Sequence, residues 1–256
     1  MNLLQTTLTE KAGYDNGFEN SSRQPDGSVE LSSARHPARL QIRAESGEYV
    51  VVLQQVSTGL AEQLDRDFPR NPAGDYPCTN EAALHIFLRR AAALSRALPN
   101  QAVNDYLLSV ADELLRIPEA LHQTEVERTV RQRVGQEKFR AAMLDYWQGA
   151  CAVTGVAIPE LLRASHALPW AECQSDAQRL DVFNGFLLCA HLDALFDRFL
   201  ISFDALGGIV FSSQVDRMQL QTLGVTDRLR LRWLDERHQD YLDWHRRRLN
   251  AGADEG

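Results

Sequence analysis

Apolar positions in the first half of the chain follow two periods, one typical of helices and one typical of strands. Apolar residues three to four apart predict three helices, separated by prolines, near residues 59–67, 80–97 and 103–116. Two runs with alternating or β-branched residues, 38–43 and 49–54, predict a β-hairpin. Residues 1–30 are polar and contain Asp-Asn-Gly and Pro-Asp-Gly, which are typical of turns.

The second half begins with a long amphipathic helix, predicted for residues 124–147. One stripe of apolar residues recurs at intervals of three to five positions: Val126, Val130, Val134, Phe139, Met143 and Tyr146. Shorter elements follow, namely strand-like pieces, a helix near 191–199, a hairpin of 200–203 with 208–212, and a final helix near 235–249.

This change of pattern predicts two domains with a boundary near residue 124. Residues 1–124 would form an N-terminal domain, and residues 125–256 would form the second. The mixture of helices and strands predicts an α+β fold in both.

The composition is that of a globular protein, since 44% of the 256 residues are apolar and 24% are charged. The opening residues, MNLLQTTLTEK, lack the form of a signal peptide, and no apolar run approaches the roughly 18 residues of a membrane span. We therefore expect no membrane association. The four cysteines form no Cys-x-x-Cys pair, which favours reduced thiols in a cytoplasmic protein.

The formal net charge of −8 argues against a general nucleic-acid coat protein, which would be basic overall. Two segments are locally basic. Residues 228–248 hold seven arginines against four acidic residues, and residues 125–140 hold five basic residues against three acidic ones. Each segment is as consistent with a solvated helix face as with a DNA contact.

The residues that could carry chemistry lie between Cys151 and Phe203. The sequence pieces are Cys-Ala-Val-Thr-Gly at 151–155, Ala-Ser-His-Ala-Leu-Pro-Trp at 164–170, Asn-Gly-Phe-Leu-Leu-Cys at 184–189 and Leu-Asp-Ala-Leu-Phe-Asp at 192–197. Each piece alone means little, but their order and spacing together are much rarer. Roughly residues 125–250 resemble the HNH family, also called ββα-metal or His-Me finger nucleases, in its restriction-endonuclease-like branch.

The resemblance implies hydrolysis of phosphodiester bonds with His166 as the general base. A neutral histidine can take a proton from water near pH 7, because its reference pKa is about 6.5. A lone histidine here would more often be a buried residue bonded to backbone, and the surrounding motif reverses that preference. Asn184 matches the middle Asn of the family motif, which fixes the loop beside the base, and this role overlaps with that of a plain Asn-Gly turn.

The metal ligand of the family falls on Asp193, and Asp197 lies one helical turn later on the same face. Carboxylates suit Mg²⁺ or Mn²⁺, so the resemblance implies one of these cofactors. Asp197 is equally consistent with an ion pair to Arg198 or another arginine. Many relatives have Asp or His directly before the base, where this chain has Ser165. Either water and phosphate complete the metal's coordination shell, or Asp197 does.

Many relatives also bind a structural zinc through two Cys-x-x-Cys pairs. Cys151 and Cys189 occupy the first position of each pair, but their partners would be Thr154 and Leu192. Two thiols do not make a four-ligand zinc site. We therefore expect no structural zinc, and we expect both cysteines to be small core residues.

Four arginines are candidates for contacts with DNA phosphates, because a guanidinium makes bidentate bonds to phosphate: Arg133, Arg140, Arg163 and Arg179. Each is equally consistent with a surface salt bridge. The resemblance implies a DNA endonuclease of restriction or phage-defence type, with the N-terminal domain supplying target recognition or regulation. A homodimer is one expectation, because an HNH-type cut across both strands often needs two copies.

Two alternatives remain open. A non-catalytic DNA-binding protein with a degenerate HNH fold would explain Ser165 as a sign of lost metal affinity, although His166, Asn184 and Asp193 are all present. A nuclease effector whose N-terminal domain senses a ligand would have the same chemistry and a different trigger. Cleavage of RNA and nicking of one strand are also open.

Overall fold

The computed structural model describes residues 1–45, 47–57, 59–99, 101–117 and 124–251. The chain divides into two compact units, Met1–Gln101 and Ala102–Gly256. Each unit contains helices and antiparallel strands, which confirms the predicted α+β class.

The first unit is built on a five-stranded antiparallel sheet whose strands follow chain order. The strands are β1 (Asn20–Arg23), β2 (Val29–Ser32), β3 (Arg39–Glu45), β4 (Glu48–Gln55) and β5 (Tyr76–Cys78). β3 and β4 pair along their whole length, which confirms the hairpin predicted for 38–43 and 49–54. Leu40, Ile42 and Val51 are fully buried in the core of this unit.

The described helices of the first unit are α1 (Leu3–Asp15), α2 (Leu60–Asp67) and α3 (Glu81–Ala97). α2 and α3 confirm the helices predicted near 59–67 and 80–97. The description of residues 1–30 as a polar, turn-rich segment was incomplete, because α1, β1 and the start of β2 lie within it. α1 has little apolar periodicity, because the side chains that it buries are small, such as those of Thr9 and Ala12. The sequence feature that indicates this helix is its capping box, formed by Asn2 and Gln5.

The second unit begins with α4 (Gln101–Leu115), from its second residue onward, and α5 (Thr124–Tyr146). Both helices match the predicted ranges, and the apolar stripe of α5 is buried from Val130 onward. The boundary expected near residue 124 assigns α4 to the first domain, whereas the structure divides the chain at residue 101. α4 buries Tyr106 and Val110, and an ion pair of 2.7 Å joins its Glu113 to Arg133 of α5 in the same unit.

The remaining elements are β6 (Leu162–His166), α6 (Asp176–Leu180), β7 (Gly185–Cys189), α7 (Ala190–Phe196), β8 (Ile201–Phe203), β9 (Ile209–Phe211), α8 (Arg217–Thr222) and α9 (Gln239–Ala251). β8 and β9 form the antiparallel hairpin predicted for 200–203 and 208–212. The last helix starts a few residues later than predicted, because a 3₁₀ turn, Glu236–His238, precedes it. Within the described ranges, no helix is both long and apolar enough to span a membrane.

Candidate functional site

Two antiparallel strands and the helix after them frame the candidate site. β6 pairs with β7 from Leu162 opposite Cys189 to His166 opposite Gly185, and α7 begins directly after Cys189. This is the ββα arrangement that the resemblance implies. His166 is the last residue of β6 and lies where the strand pair ends.

The imidazole of His166 is held by one hydrogen bond and one ring contact. Its Nε2 lies 2.9 Å from the carbonyl oxygen of Arg179. A carbonyl can only accept, so Nε2 carries the proton and Nδ1 keeps its lone pair in the neutral ring. The ring of Phe139 on α5 stacks on the imidazole with centroids 3.7 Å apart and planes 14° apart. Nδ1 has no hydrogen-bond partner among the described residues.

Burial lowers the pKa of His166 to about 4, against opposing effects of the Arg179 carbonyl and the Asp197 carboxylate, which both favour the protonated form. The ring is therefore neutral at pH 7. A neutral imidazole with a fixed proton on Nε2 is able to accept a proton at Nδ1, as a general base must.

Gly185 allows the two strands to approach closely beside this ring. A β-carbon at this position would lie 2.0 Å from the carbonyl oxygen of Ser165 and 3.1 Å from Cζ of Phe139. A contact of 2.0 Å does not occur for a real β-carbon, and one of 3.1 Å is unusually tight. The Asn-Gly sequence at 184–185 is therefore explained by lack of space for a side chain rather than by a turn with positive φ.

Asn184 is fully buried and ties together the loop that follows β6. Its Oδ1 accepts from the backbone N–H of Leu168 at 2.7 Å, and its Nδ2 donates to the carbonyl oxygens of Leu168 at 3.1 Å and Gln178 at 3.0 Å. Its own carbonyl accepts from the N–H of Ala167 at 3.0 Å. Through these bonds, the side chain and the backbone of Asn184 connect the loop after β6 to its surroundings.

Asp193 of α7 faces β6 and accepts a hydrogen bond at Oδ1 from the hydroxyl of Ser165. Asp197 follows one turn later, where its backbone N–H donates to the Asp193 carbonyl at 2.8 Å. The charge of Asp197 acts on His166, as the pKa effect above indicates. Arg198 donates to the carbonyl of Ala194 at 3.1 Å, and within the described ranges no ion pair joins it to Asp197.

These residues do not form a closed metal cage. In the described part of the chain, no three His, Cys, Asp or Glu side chains are grouped closely enough to hold a metal ion. Mg²⁺, however, is usually bound by one or two carboxylates, with waters and substrate phosphate completing its shell. The carboxylates of Asp193 and Asp197 are the hard oxygen donors that an open Mg²⁺ or Mn²⁺ site uses, and their role as ligands stays a prediction.

The positions of the family's zinc-binding cysteines hold a small hydrogen-bonded cluster. The Sγ atom of Cys151 lies 3.4 Å from the backbone nitrogens of Thr154 and Cys189, and the Thr154 hydroxyl lies 3.3 Å from Sγ of Cys189. Leu192, at the fourth position, is fully buried. Both cysteines are buried free thiols, which agrees with their predicted packing in the core. The absence of zinc stays a prediction.

The four candidate phosphate-binding arginines all have partners within the protein. Three of them donate to backbone carbonyls: Arg140 to Leu162 and Pro159, Arg163 to Glu160 and Leu162, and Arg179 to Trp170 and Cys173. Arg133 instead forms the exposed ion pair with Glu113. An exposed pair of this kind is worth about 0–1 kcal/mol. Contact with DNA stays a prediction for all four.

The sequence alone did not reveal three features that position the site. The carbonyl of Arg179 selects the tautomer of His166, but a backbone acceptor has no signature in the sequence. The hydroxyl of Ser165 reaches Asp193 across the gap between strand and helix, whereas the sequence presented Ser165 only as a missing metal ligand. Phe139 was predicted as a core residue of α5, and its stacking on His166 could not be inferred from periodicity.

Comparison with known protein families identifies the same region of the chain. Residues 151–204 match the sequence model of the family described as HNH endonuclease, which confirms the resemblance. The match covers both strands of the ββα arrangement, its helix and the start of the following hairpin. A comparison with curated proteins finds no significant match.

Proposed function

We propose, from the premise that residues 151–204 form an HNH endonuclease domain, that this protein is a metal-dependent DNA endonuclease with His166 as its general base. The observation that carries this proposal is the orientation of the imidazole. Its Nε2 proton is engaged by the Arg179 carbonyl, its Nδ1 is left without a partner among the described residues, and the charge of Asp197, at the end of α7, acts on the ring.

The chain's own residues suit each requirement of phosphodiester hydrolysis. Nδ1 of His166 would take a proton from the attacking water, and the low pKa keeps this nitrogen unprotonated at neutral pH. Asp193 and Asp197 would hold a divalent cation. Such a cation, when bound, neutralises charge on the phosphate and on the leaving oxygen without any change of protonation. Asn184 would keep the loop after the base in place, rather than transfer a proton.

We assign the first unit a role in target recognition or regulation, within a restriction or phage-defence enzyme. Phosphate contacts carry no sequence information, so specificity would come from base or shape readout outside the hairpin. A homodimer would bring two active sites to the two strands. A reducing cytoplasm would suit the free thiols.

The test uses supercoiled plasmid DNA, with and without base modification, incubated with Mg²⁺, Mn²⁺ or a chelator. We expect nicked or linear DNA only with metal, and RNA of similar length provides the comparison for substrate class. Binding without cleavage under every metal would favour the degenerate DNA-binding protein. Cleavage that appears only after a panel of small nucleotides is added would favour the effector.

The metal-ligand assignment is tested with Asp193→Ala and Asp197→Ala in the same assay. We expect the larger loss for Asp193→Ala, because Asp193 lies against β6 and accepts a hydrogen bond from Ser165, whereas Asp197 is exposed. Asp227→Ala, which removes an exposed carboxylate from the same unit, is the matched control. A larger loss for Asp197→Ala would reverse the assignment.

A further inference from the structure

Ser165 occupies the position where many HNH proteins have a metal-binding Asp or His, and its environment indicates a different use. The residue is 4% exposed and is the second-to-last residue of β6, opposite Phe186 of β7. Its hydroxyl donates to Oδ1 of Asp193 on the neighbouring helix. No other described side chain hydrogen-bonds to the Asp193 carboxylate, and no described Lys or Arg forms an ion pair with it.

The hydrogen bond from Ser165 restricts the orientation of the Asp193 carboxylate. A carboxylate with one oxygen held by a hydroxyl cannot rotate freely, and its other oxygen, Oδ2, remains available to a cation. Serine carries no charge, so its hydroxyl orients the carboxylate without neutralising it. An arginine in the same place would neutralise the carboxylate. Hydrogen bonds of this kind to a metal ligand typically raise metal affinity by about 10–100-fold.

We propose that Ser165 is a positioning residue that orients Asp193 for a divalent cation. This inference rests on the proposed metal site. A serine cannot replace the metal-binding Asp or His that many relatives have at this position. Its hydroxyl instead orients the carboxylate of Asp193, the proposed ligand that this chain retains. If the Ser165 hydroxyl is bonded to Asp193, it does not bind the cation itself. Water and substrate phosphate would then complete the cation's coordination shell.

The experiment measures binding of Mn²⁺ to the full chain by electron paramagnetic resonance of the free ion, without DNA. We expect Ser165→Ala to raise the dissociation constant for Mn²⁺ by about 10–100-fold. Ser165→Thr keeps the hydroxyl, and we expect it to restore most of the affinity. Ser212→Ala, which changes another buried serine of the same unit, should leave the affinity unchanged.

A double-mutant cycle separates orientation from a general structural effect. If Ser165 acts through Asp193, Ser165→Ala has no further effect on Mn²⁺ binding in the Asp193→Ala background. Additive losses in the cycle, or wild-type affinity in Ser165→Ala, would overturn the inference. So would a wild-type chain that binds no Mn²⁺.

The result is independent of the outcome for cleavage. If Mn²⁺ binding follows the expected pattern and no nucleic acid is cut, the proposed function fails and the role of Ser165 stands. If DNA is cut and Ser165→Ala binds Mn²⁺ as the wild type does, the role of Ser165 fails alone.

Discussion

Gly135 of α5 lies directly against the indole of Trp170: a β-carbon at this glycine would come within 2.0 Å of Cη2 of Trp170. The same indole packs edge-on against His166, with ring centroids 6.1 Å apart. Trp170, in the loop after β6, therefore contacts both α5 and His166, the proposed base. A glycine inside a helix costs about 1 kcal/mol relative to alanine, and the space taken by Trp170 explains why it is found here.

Gly135→Ala should therefore destabilise the protein, although alanine is the better helix former. We expect a net loss of about 1–3 kcal/mol in the free energy of unfolding, because overpacking outweighs the gain in helix propensity. Urea unfolding measures this loss. Gln136→Ala, at the exposed neighbouring position, is the control and should change stability little. A more stable Gly135→Ala protein would show that α5 does not pack on Trp170 as described.

Asn184→Ala should loosen the loop after β6. The substitution removes the bonds to Leu168 and Gln178 and leaves buried backbone groups without partners. We expect a loss of about 2–4 kcal/mol in unfolding free energy, since each unsatisfied buried group costs about 1–3 kcal/mol. Asn250→Ala, at an exposed asparagine of α9, serves as the comparison. Equal stability of the two variants would contradict a loop-fixing role.

The pKa of His166 can be measured directly by NMR titration of its Cε1 proton, assigned with His166→Gln. We expect a midpoint near pH 4 rather than near 6.5, because burial disfavours the charged ring. Between these values the unfolded chain binds a proton that the folded chain does not. His166 thus contributes stability that is complete above pH 6.5 and is lost as the pH falls towards 4. A midpoint near 6.5 would refute this.

His245 should contribute to the same fall in stability. Its pKa is also lowered to about 4 by burial, and both ring nitrogens are engaged, Nε2 with the Phe196 carbonyl and Nδ1 with the Ser202 hydroxyl. Urea midpoints at pH 7 and pH 5 should therefore differ less in His166→Gln than in the wild type, with a residual difference from His245.

Removal of metal ions should leave the fold intact. Thr154 and Leu192 stand where zinc ligands would be, and Cys151 is already hydrogen-bonded to backbone N–H groups. We expect elemental analysis to find far less than one zinc per chain, and we expect a chelator to leave Tm unchanged. Stoichiometric zinc, or a large fall in Tm with the chelator, would contradict the prediction that packing alone holds this cluster.

The sequence predicted those parts of the fold that depend on apolar periodicity. The apolar stripe of α5 and the hairpin of β3 and β4 were predicted, because large buried side chains repeat at the helical period in α5 and at every second residue in β3. α1 gave none, because the residues it buries are small or polar, such as Thr9 and Ala12. Whether α4 belongs to the first or the second unit depends on tertiary contacts, which apolar periodicity alone does not reveal.

At the site, the sequence supplied the order of His166, Asn184 and Asp193, and the structure supplied how they are held. The acceptor for His166 is a backbone carbonyl, so any residue could stand at position 179 as far as that bond is concerned. The guanidinium of Arg179 instead donates to loop carbonyls. Arginine in a sequence does not reveal whether it faces phosphate or backbone.

The most direct test of the central claim is the single-turnover rate of DNA cleavage by His166→Ala, compared with His191→Ala. Both substitutions remove one imidazole from the same ββα region, but His191 is exposed on α7. With both proteins folded and Mg²⁺ saturating, we predict that His166→Ala cleaves about 10²–10⁴-fold more slowly than the wild type, the usual contribution of a general base. His191→Ala should cleave at nearly the wild-type rate. Wild-type cleavage by His166→Ala would contradict the assignment of His166 as the base.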